Sequence, residues 1–169
     1  MQDITFRDME EGKDLARVTD RMRTLCSRRE YCSADILKKA MAALDGDRAQ
    51  AEAVVAKLID ERYIDDLRYS SAFARDKSSI AGWGEAKIRY MLSAKGISRD
   101  TIAEALKRID EDKASGRLEK LMESKARSLK GDPQFKLKML RFGIGRGYSY
   151  EAVTEVTDKI MGLWKDSED

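Results

Sequence analysis

The 169-residue chain contains no histidine. That excludes Ser–His, Cys–His and His–metal chemistry and leaves lysine, tyrosine, cysteine and carboxylates as groups that could carry catalysis. None of them forms a catalytic constellation. Cys26 and Cys32 stand six positions apart. This is not a C-x-x-C pair, and two thiols cannot complete a four-ligand zinc site, so they read as reduced thiols of a cytosolic protein. Asp65-Asp66 has no nearby third ligand and reads as the N-cap and first-turn acid of a helix. Asp45-Gly46-Asp47 lacks the calcium-loop ladder. Gly143-Ile144-Gly145-Arg146-Gly147 invites a phosphate-loop reading. It misses the Walker pattern, Tyr148 breaks G-x-G-x-x-G, and no strand precedes it, so it reads as a helix end. These residues predict a protein that is not an enzyme and takes no cofactor and no metal.

The remaining chemistry is that of cations. Lys87, Arg89 and Lys95 flank one apolar helical stripe, Lys136, Lys138, Arg141 and Arg146 flank another, and Arg28, Arg29, Lys38 and Lys39 are weaker equivalents upstream. Such residues can contact nucleic-acid phosphate or an acidic protein surface, or form an ordinary solvated face. Their distribution favours contact. The chain has 33 Lys and Arg against 31 Asp and Glu, for a net charge of +2. That near-balance hides alternating blocks. Residues 15–44 carry +4, 45–66 carry −4, 67–99 carry +5, 100–112 carry −3, 113–146 carry +7 and 147–169 carry −4. Trp83, between Gly82 and Gly84, could stack on a base or enter a partner pocket, or else pack across a junction between modules.

The elements that must position these residues are helices. There is one proline, Pro133, with 42% hydrophobic and 38% charged residues. Lys95-Gly96-Ile97-Ser98 recurs 51 residues later as Arg146-Gly147-Tyr148-Ser149. In each, glycine is a left-handed helix stop, serine caps the next helix, and the intervening residue staples onto Ile102 or Val153. Upstream lie Ile88 and Leu92, then Met139 and Gly143, with a weaker copy at Ile36, Ala40 and Leu44. Downstream patterns run Val54, Val55, Leu58, Ile59, then Ile102, Ala105, Leu106, Ile109, then Val153, Val156, Ile160. A first helix in each unit is expected at Leu15–Ser27, Leu67–Lys77 and Leu118–Leu129, with Ala72 and Phe73 facing inward and Lys125 beside its stripe. Tyr63, Tyr69, Phe73 and Tyr90 are expected in the core.

A period near fifty residues predicts an all-α fold, an elongated tandem array of three three-helix repeats with about nine helices. The expected boundaries are an acidic mobile N-terminus at 1–14, repeats at 15–65, 66–112 and 113–164, and a tail at 165–169. No signal peptide and no membrane span are expected, since the longest apolar run is Ala40–Leu44. The expected location is cytoplasmic.

Several of these motifs resemble one known family, RecX, the bacterial regulators of the RecA recombinase. Arg62-Tyr63-Ile64-Asp65-Asp66-Leu67-Arg68-Tyr69 resembles its Leu-Asp-Asp-x-Arg-Phe-Ala signature between the first and second repeats. Gly82-Trp83-Gly84, Lys87-Ile88-Arg89 and Lys95-Gly96-Ile97 resemble its second repeat, and Lys136–Phe142 with Arg146-Gly147-Tyr148 resembles its third. The likeness covers roughly residues 15–162. The signature positions are Asp65, Asp66, Gly82, Trp83, Gly84, Gly96 and Gly147. Three positions depart from the pattern. Gly143 replaces a bulky apolar residue and is expected to loosen its helix, Ser70 or Ser71 replaces alanine, and Leu44 stands at the glycine position of the first repeat. The resemblance implies a monomeric, non-enzymatic modulator of RecA and its single-stranded DNA filament. It would restrain filament growth, ATP hydrolysis, strand exchange and cleavage of the SOS repressor, with weak direct DNA binding besides. A helix-turn-helix DNA binder acting without a recombinase is the competing reading.

Overall fold

The computed structural model describes residues 6–109 and 111–166, with side chains described for 14–109 and 113–165. Among these residues the chain forms nine α-helices and no strand. They are α1 (Phe6–Arg28), α2 (Ser33–Ala43), α3 (Arg48–Asp60), α4 (Asp66–Ser79), α5 (Glu85–Ala94), α6 (Arg99–Leu106), α7 (Glu111–Arg127), α8 (Phe135–Gly145) and α9 (Tyr150–Asp166). The fold is all-α, a succession of three-helix groups. α1 starts within the stretch expected to be mobile, while residues 1–5 and 167–169 of the acidic termini lie outside the described residues. The helices sort into two compact units. One holds α1–α3, the start of α4 and the turn Lys95–Ile97, and the other runs from the rest of α4 to α9.

In the first unit, Val18 and Met22 of α1, Ile36 and Ala40 of α2, and Ala51, Val54 and Leu58 of α3 share one core with Leu44 and Ile64. The spacings are those of single helical faces. Arg23 of α1 forks onto Glu61 after α3, with Nε and Nη2 each 2.8 Å from a carboxylate oxygen. The turn between α2 and α3 differs from expectation. Leu44 is buried in the core, and the left-handed residues are Asp45 (φ 51°) and Gly46 (φ 86°). The Gly46 N–H returns to the Met41 carbonyl at 2.8 Å, and Asp47 caps α3 through the Gln50 N–H. Measured from the core residues Ala40 and Leu92, the helix stop comes one position later here than in the second repeat.

In α4 the buried stripe is Ser70, Ala74 and Ser78, while Ala72 and Phe73 are only half-buried. Tyr63 and Tyr69 are half-buried too, and Tyr90 is 71% exposed, so it is not a core residue. The buried face of α4 is therefore built of small side chains. The last three helices share a core of Leu118, Met122, Ala126, Met139, Val153, Val156 and Ile160. Lys125 lies beside this core with its Nζ 5.7 Å from the Phe142 ring.

Gly143 does not loosen α8. It is buried, and Val153 of α9 fills the space where its side chain would stand, with Val153 Cγ2 2.5 Å from an added Cβ. The small residue is the condition for close packing of α8 on α9. An alanine at an open helical site stabilises by roughly 0.5–1 kcal/mol relative to glycine. Here the sign should reverse. Gly143→Ala is expected to destabilise by about 1–3 kcal/mol in urea unfolding, and Val153→Ala should recover part of that loss in the double variant.

Candidate functional site

The residues singled out by the sequence converge on a joint inside the second unit. The N-terminal end of α5 sits on the turn after α8. The Gly84 N–H donates to the Arg146 carbonyl (2.8 Å) and the Ala86 N–H to the Gly147 carbonyl (3.1 Å). Orphan donors at the start of one helix thus satisfy orphan acceptors at the end of another. The approach leaves no room for side chains. A Cβ on Gly84 would overlap the Gly147 carbonyl, and one on Gly147 would overlap Lys87. Gly147 also has φ 91°, where a side chain is strained. Arg146 Nη1 donates to the Ala81 carbonyl at 2.9 Å and its guanidinium lies 5.2 Å from the Phe142 ring centre. Ser149 then caps α9 by accepting from the Ala152 N–H.

The first unit contains a joint of the same design. The start of α2 meets the turn after α5, with Ala34 Cβ in ordinary contact distance of Gly96 (φ 78°). Here side chains replace part of the backbone bonding. Asp66 accepts from the Ser33 N–H (2.8 Å) and Oγ (2.6 Å), so this first-turn acid of α4 also caps α2. Asp65 caps α4 itself through the Arg68 N–H. Lys95 Nζ lies 2.8 Å from Asp35 and 5.6 Å from the Tyr69 ring centre. Burial pushes the Asp35 carboxyl up, but hydrogen bonds from Lys95 and Cys32 and the charges of Lys95 and Lys39 outweigh it, leaving Asp35 below its ordinary value. The hydrogen bond to Asp35 holds Lys95 above its own. Burial pushes both thiols, Cys26 and Cys32, up from the usual cysteine value.

The eleven expected contact cations fall into three groups. Arg89 pairs with Glu85 (2.5 Å), Lys95 with Asp35, Lys136 with Asp158 (2.8 Å) and Lys138 with Asp132 (2.5 Å). Lys87 and Arg146 belong to the joint, Lys87 with its Nζ 4.6 Å from the Trp83 ring centre and 3.5 Å from the Gly145 carbonyl. Arg28, Arg29, Lys38, Lys39 and Arg141 are exposed, and no carboxylate among the described residues pairs with them. Arg29 and Lys39 both lie over Tyr31, at 4.5 and 5.7 Å from its ring centre. The first-repeat residues are therefore among the most available. Trp83 is half-buried, edge-on to Phe73 (centroids 6.3 Å apart) and under Lys77 and Lys87.

Two cavities adjoin this joint. One of about 730 Å³ is lined by Trp83, Tyr90, Leu106, Leu118 and Tyr148 among others. The other, about 310 Å³, gathers Arg117, Lys120 and Arg146 around Ser79–Gly82. Arg117 and Lys120 were not singled out in the sequence. Their only signal there was the excess of positive charge over residues 113–146. Among the described residues no group of three His, Cys, Asp or Glu could hold a metal ion, and no helix is long and apolar enough to cross a membrane.

Comparison with known proteins points to one family. The family model described as RecX, second three-helix domain, matches residues 65–106. Regulatory protein RecX of Clostridium tetani is 32% identical over 119 residues, covering 68% of this chain and 54% of that protein. The RecX of Salmonella typhimurium is 26% identical over 163 residues, covering 91% and 93%. The chain belongs to the RecX family. It spans about half the length of the clostridial RecX proteins it matches. A crystal structure of regulatory protein RecX superposes with a TM-score of 0.83 at 22% identity, over 94% of this chain and 78% of that one. RecX from Lactobacillus salivarius gives 0.78 at 20% identity, over 88% and 97%.

Two outcomes test the joints. Gly84→Ala and Gly147→Ala should each cost about 2 kcal/mol or more, because backbone must move to admit the Cβ. Gly145→Ala, with nothing within 4 Å of its added Cβ, should be neutral or mildly stabilising. Both tryptophans, Trp83 and Trp164, lie in the second unit, so denaturant unfolding followed by tryptophan fluorescence reads its stability. In the first unit, the depressed Asp35 carboxyl contributes stability present above its unfolded value and lost as pH falls through its folded one. The melting temperature should therefore fall with acid more steeply in the parent than in Asp35→Asn.

Proposed function

We propose that this chain is a non-enzymatic regulator that binds a RecA recombinase and its filament on single-stranded DNA. It restrains filament growth, ATP hydrolysis, strand exchange and repressor cleavage, acting as a monomer in the cytoplasm. Membership in a family of regulatory proteins supports the class of activity. The observation that carries the reading is the set of cations left unpaired on firmly folded helices. Lys38 and Lys39 project from α2, whose first turn is capped by Asp66, and Arg141 projects from α8, whose end is tied to α5. Cations that already pair with a carboxylate on their own surface have less to gain from an anionic partner. The five unpaired ones add attraction toward DNA phosphate or an acidic recombinase surface without breaking an ion pair among the described residues.

The competing reading, a major-groove DNA binder, would use the third helix of a group for recognition. The segments bearing those helices, 45–66, 100–112 and 147–169, carry net charges of −4, −3 and −4, which repel a DNA backbone. Sequence-specific footprinting without recombinase would favour that reading over ours.

RecA ATPase on single-stranded DNA tests the proposal. Adding the purified chain should suppress turnover. The triple variant Lys38→Glu, Lys39→Glu, Arg141→Glu should raise the half-inhibiting concentration about tenfold, from on the order of 0.5 kcal/mol per exposed charge. It should also flatten the dependence on salt. No suppression at excess protein would sink the regulator reading, and equal suppression by the triple variant would sink the role of these cations.

A further inference from the structure

We propose that the cavity of about 310 Å³ between α7, the α4–α5 loop and the turn after α8 is a binding site for a tetrahedral phosphate group. It is a second site, independent of the recombinase reading and of the exposed cations of α2 and α8.

Three cations line it: Arg117 and Lys120 from consecutive turns of α7, and Arg146 from the turn after α8. The remaining lining includes Ser79 and Ser124, whose hydroxyls can donate, and the loop residues Ile80, Ala81 and Gly82. No acidic residue lines the cavity, and no carboxylate among the described residues pairs with any of the three cations. Arg89, Lys95, Lys136, Lys138 and Lys159, by contrast, have carboxylate partners, and the unpaired cations of α2 and α8 are exposed rather than gathered around a cavity. Like charges gathered without a counterion raise one another's energy, and an anion placed among them relieves it.

The two guanidiniums are already fixed. Arg146 is tied to the Ala81 carbonyl and stacked against Phe142. Arg117 Nη2 donates to Ser78 Oγ at 3.1 Å, while its Nε is buried with no acceptor among the described residues. A half-buried guanidinium with an unsatisfied buried donor and no counterion is costly, and the fold retains it. Because both side chains are pinned, little rotamer freedom would be lost on binding. Lys120 is exposed and supplies a mobile third charge at the rim. Three positive charges with flanking hydroxyls suit a phosphate, which accepts in several directions and carries up to two charges. A single carboxylate would leave most of the charge uncompensated.

The phosphate could belong to a small phosphorylated molecule or to a nucleic-acid backbone, and the test separates these sources. Pyrophosphate and a 5′-hydroxyl oligothymidylate are each titrated into the full chain at low salt, without recombinase, by calorimetry. The variants are Lys120→Glu and Arg117→Gln, with Lys165→Glu as a control on α9. Lys120 is exposed and makes no hydrogen bond, ion pair or ring contact among the described residues, so its variant should melt like the parent and keep the test valid even if Arg117→Gln unfolds. Saturable pyrophosphate binding, weakened at least tenfold by Lys120→Glu and not by the control, supports the site with a free phosphate as ligand. Saturable oligothymidylate binding alone, with the same pattern of variants, supports it with backbone phosphodiester as ligand. Three results would overturn it: no saturable binding of either probe, equal loss in Lys120→Glu and the control, or competition by a glutamate-rich peptide as effective as by pyrophosphate.

Discussion

Two backbone hydrogen bonds carry more of this architecture than any side-chain contact. The amides of Gly84 and Ala86 reach the carbonyls of Arg146 and Gly147, so the opening turn of α5 completes the closing turn of α8. A helix end buried against protein must find partners for its free polar groups, and here two ends supply one another's needs. The bonds require main chains to touch, which is why Gly84 and Gly147 stand at the contact, with Lys87 against Gly147 and its ammonium over the Trp83 ring. The cations, the aromatic stack and both neighbouring cavities take their positions from that contact.

The same geometric task is solved with different chemistry in the first unit. Ser33, 51 residues before Gly84, has a side chain, and its amide is satisfied by the Asp66 carboxylate rather than by a carbonyl. Asp35 and Lys95 then add a half-buried ion pair where the second unit has Arg146 bonded to backbone. One joint is bonded through main chain, and the other includes the Asp35 carboxylate, which stays below its ordinary value. The two units can therefore respond differently to acid although their helices follow the same plan.

The helices were legible because apolar residues recur at helical spacing and because Gly96-Ile97-Ser98 and Gly147-Tyr148-Ser149 state a stop and a start in adjacent letters. Position along a helix was less legible where the buried face is small and polar. In α4, Ser70, Ala74 and Ser78 are buried while Phe73 is only half so, and a hydrophobicity pattern cannot rank serine above phenylalanine. Gly143 misled for a related reason. Alone it reads as a weak point, and only the position of Val153 shows that it is a socket. In the first repeat, Leu44 occupied the place of the glycine by simple counting, yet Asp45 turns the chain, because α2 keeps one more residue past its core contact. The candidate site was legible as an excess of cations but not as a choice among them, since ion pairing joins residues as far apart as Asp35 and Lys95.

That choice follows from the joint. A basic residue at a helix C-terminus ordinarily interacts with the last carbonyls of its own helix. Just beyond the end of α8 the carbonyls of Arg146 and Gly147 are taken by the amides of Gly84 and Ala86. The Arg146 side chain reaches across to Ala81 and leaves its charge beside Arg117 and Lys120. Positive charge is thus gathered at this turn with no carboxylate in the cavity lining among the described residues, and that is the condition on which the proposed phosphate site rests.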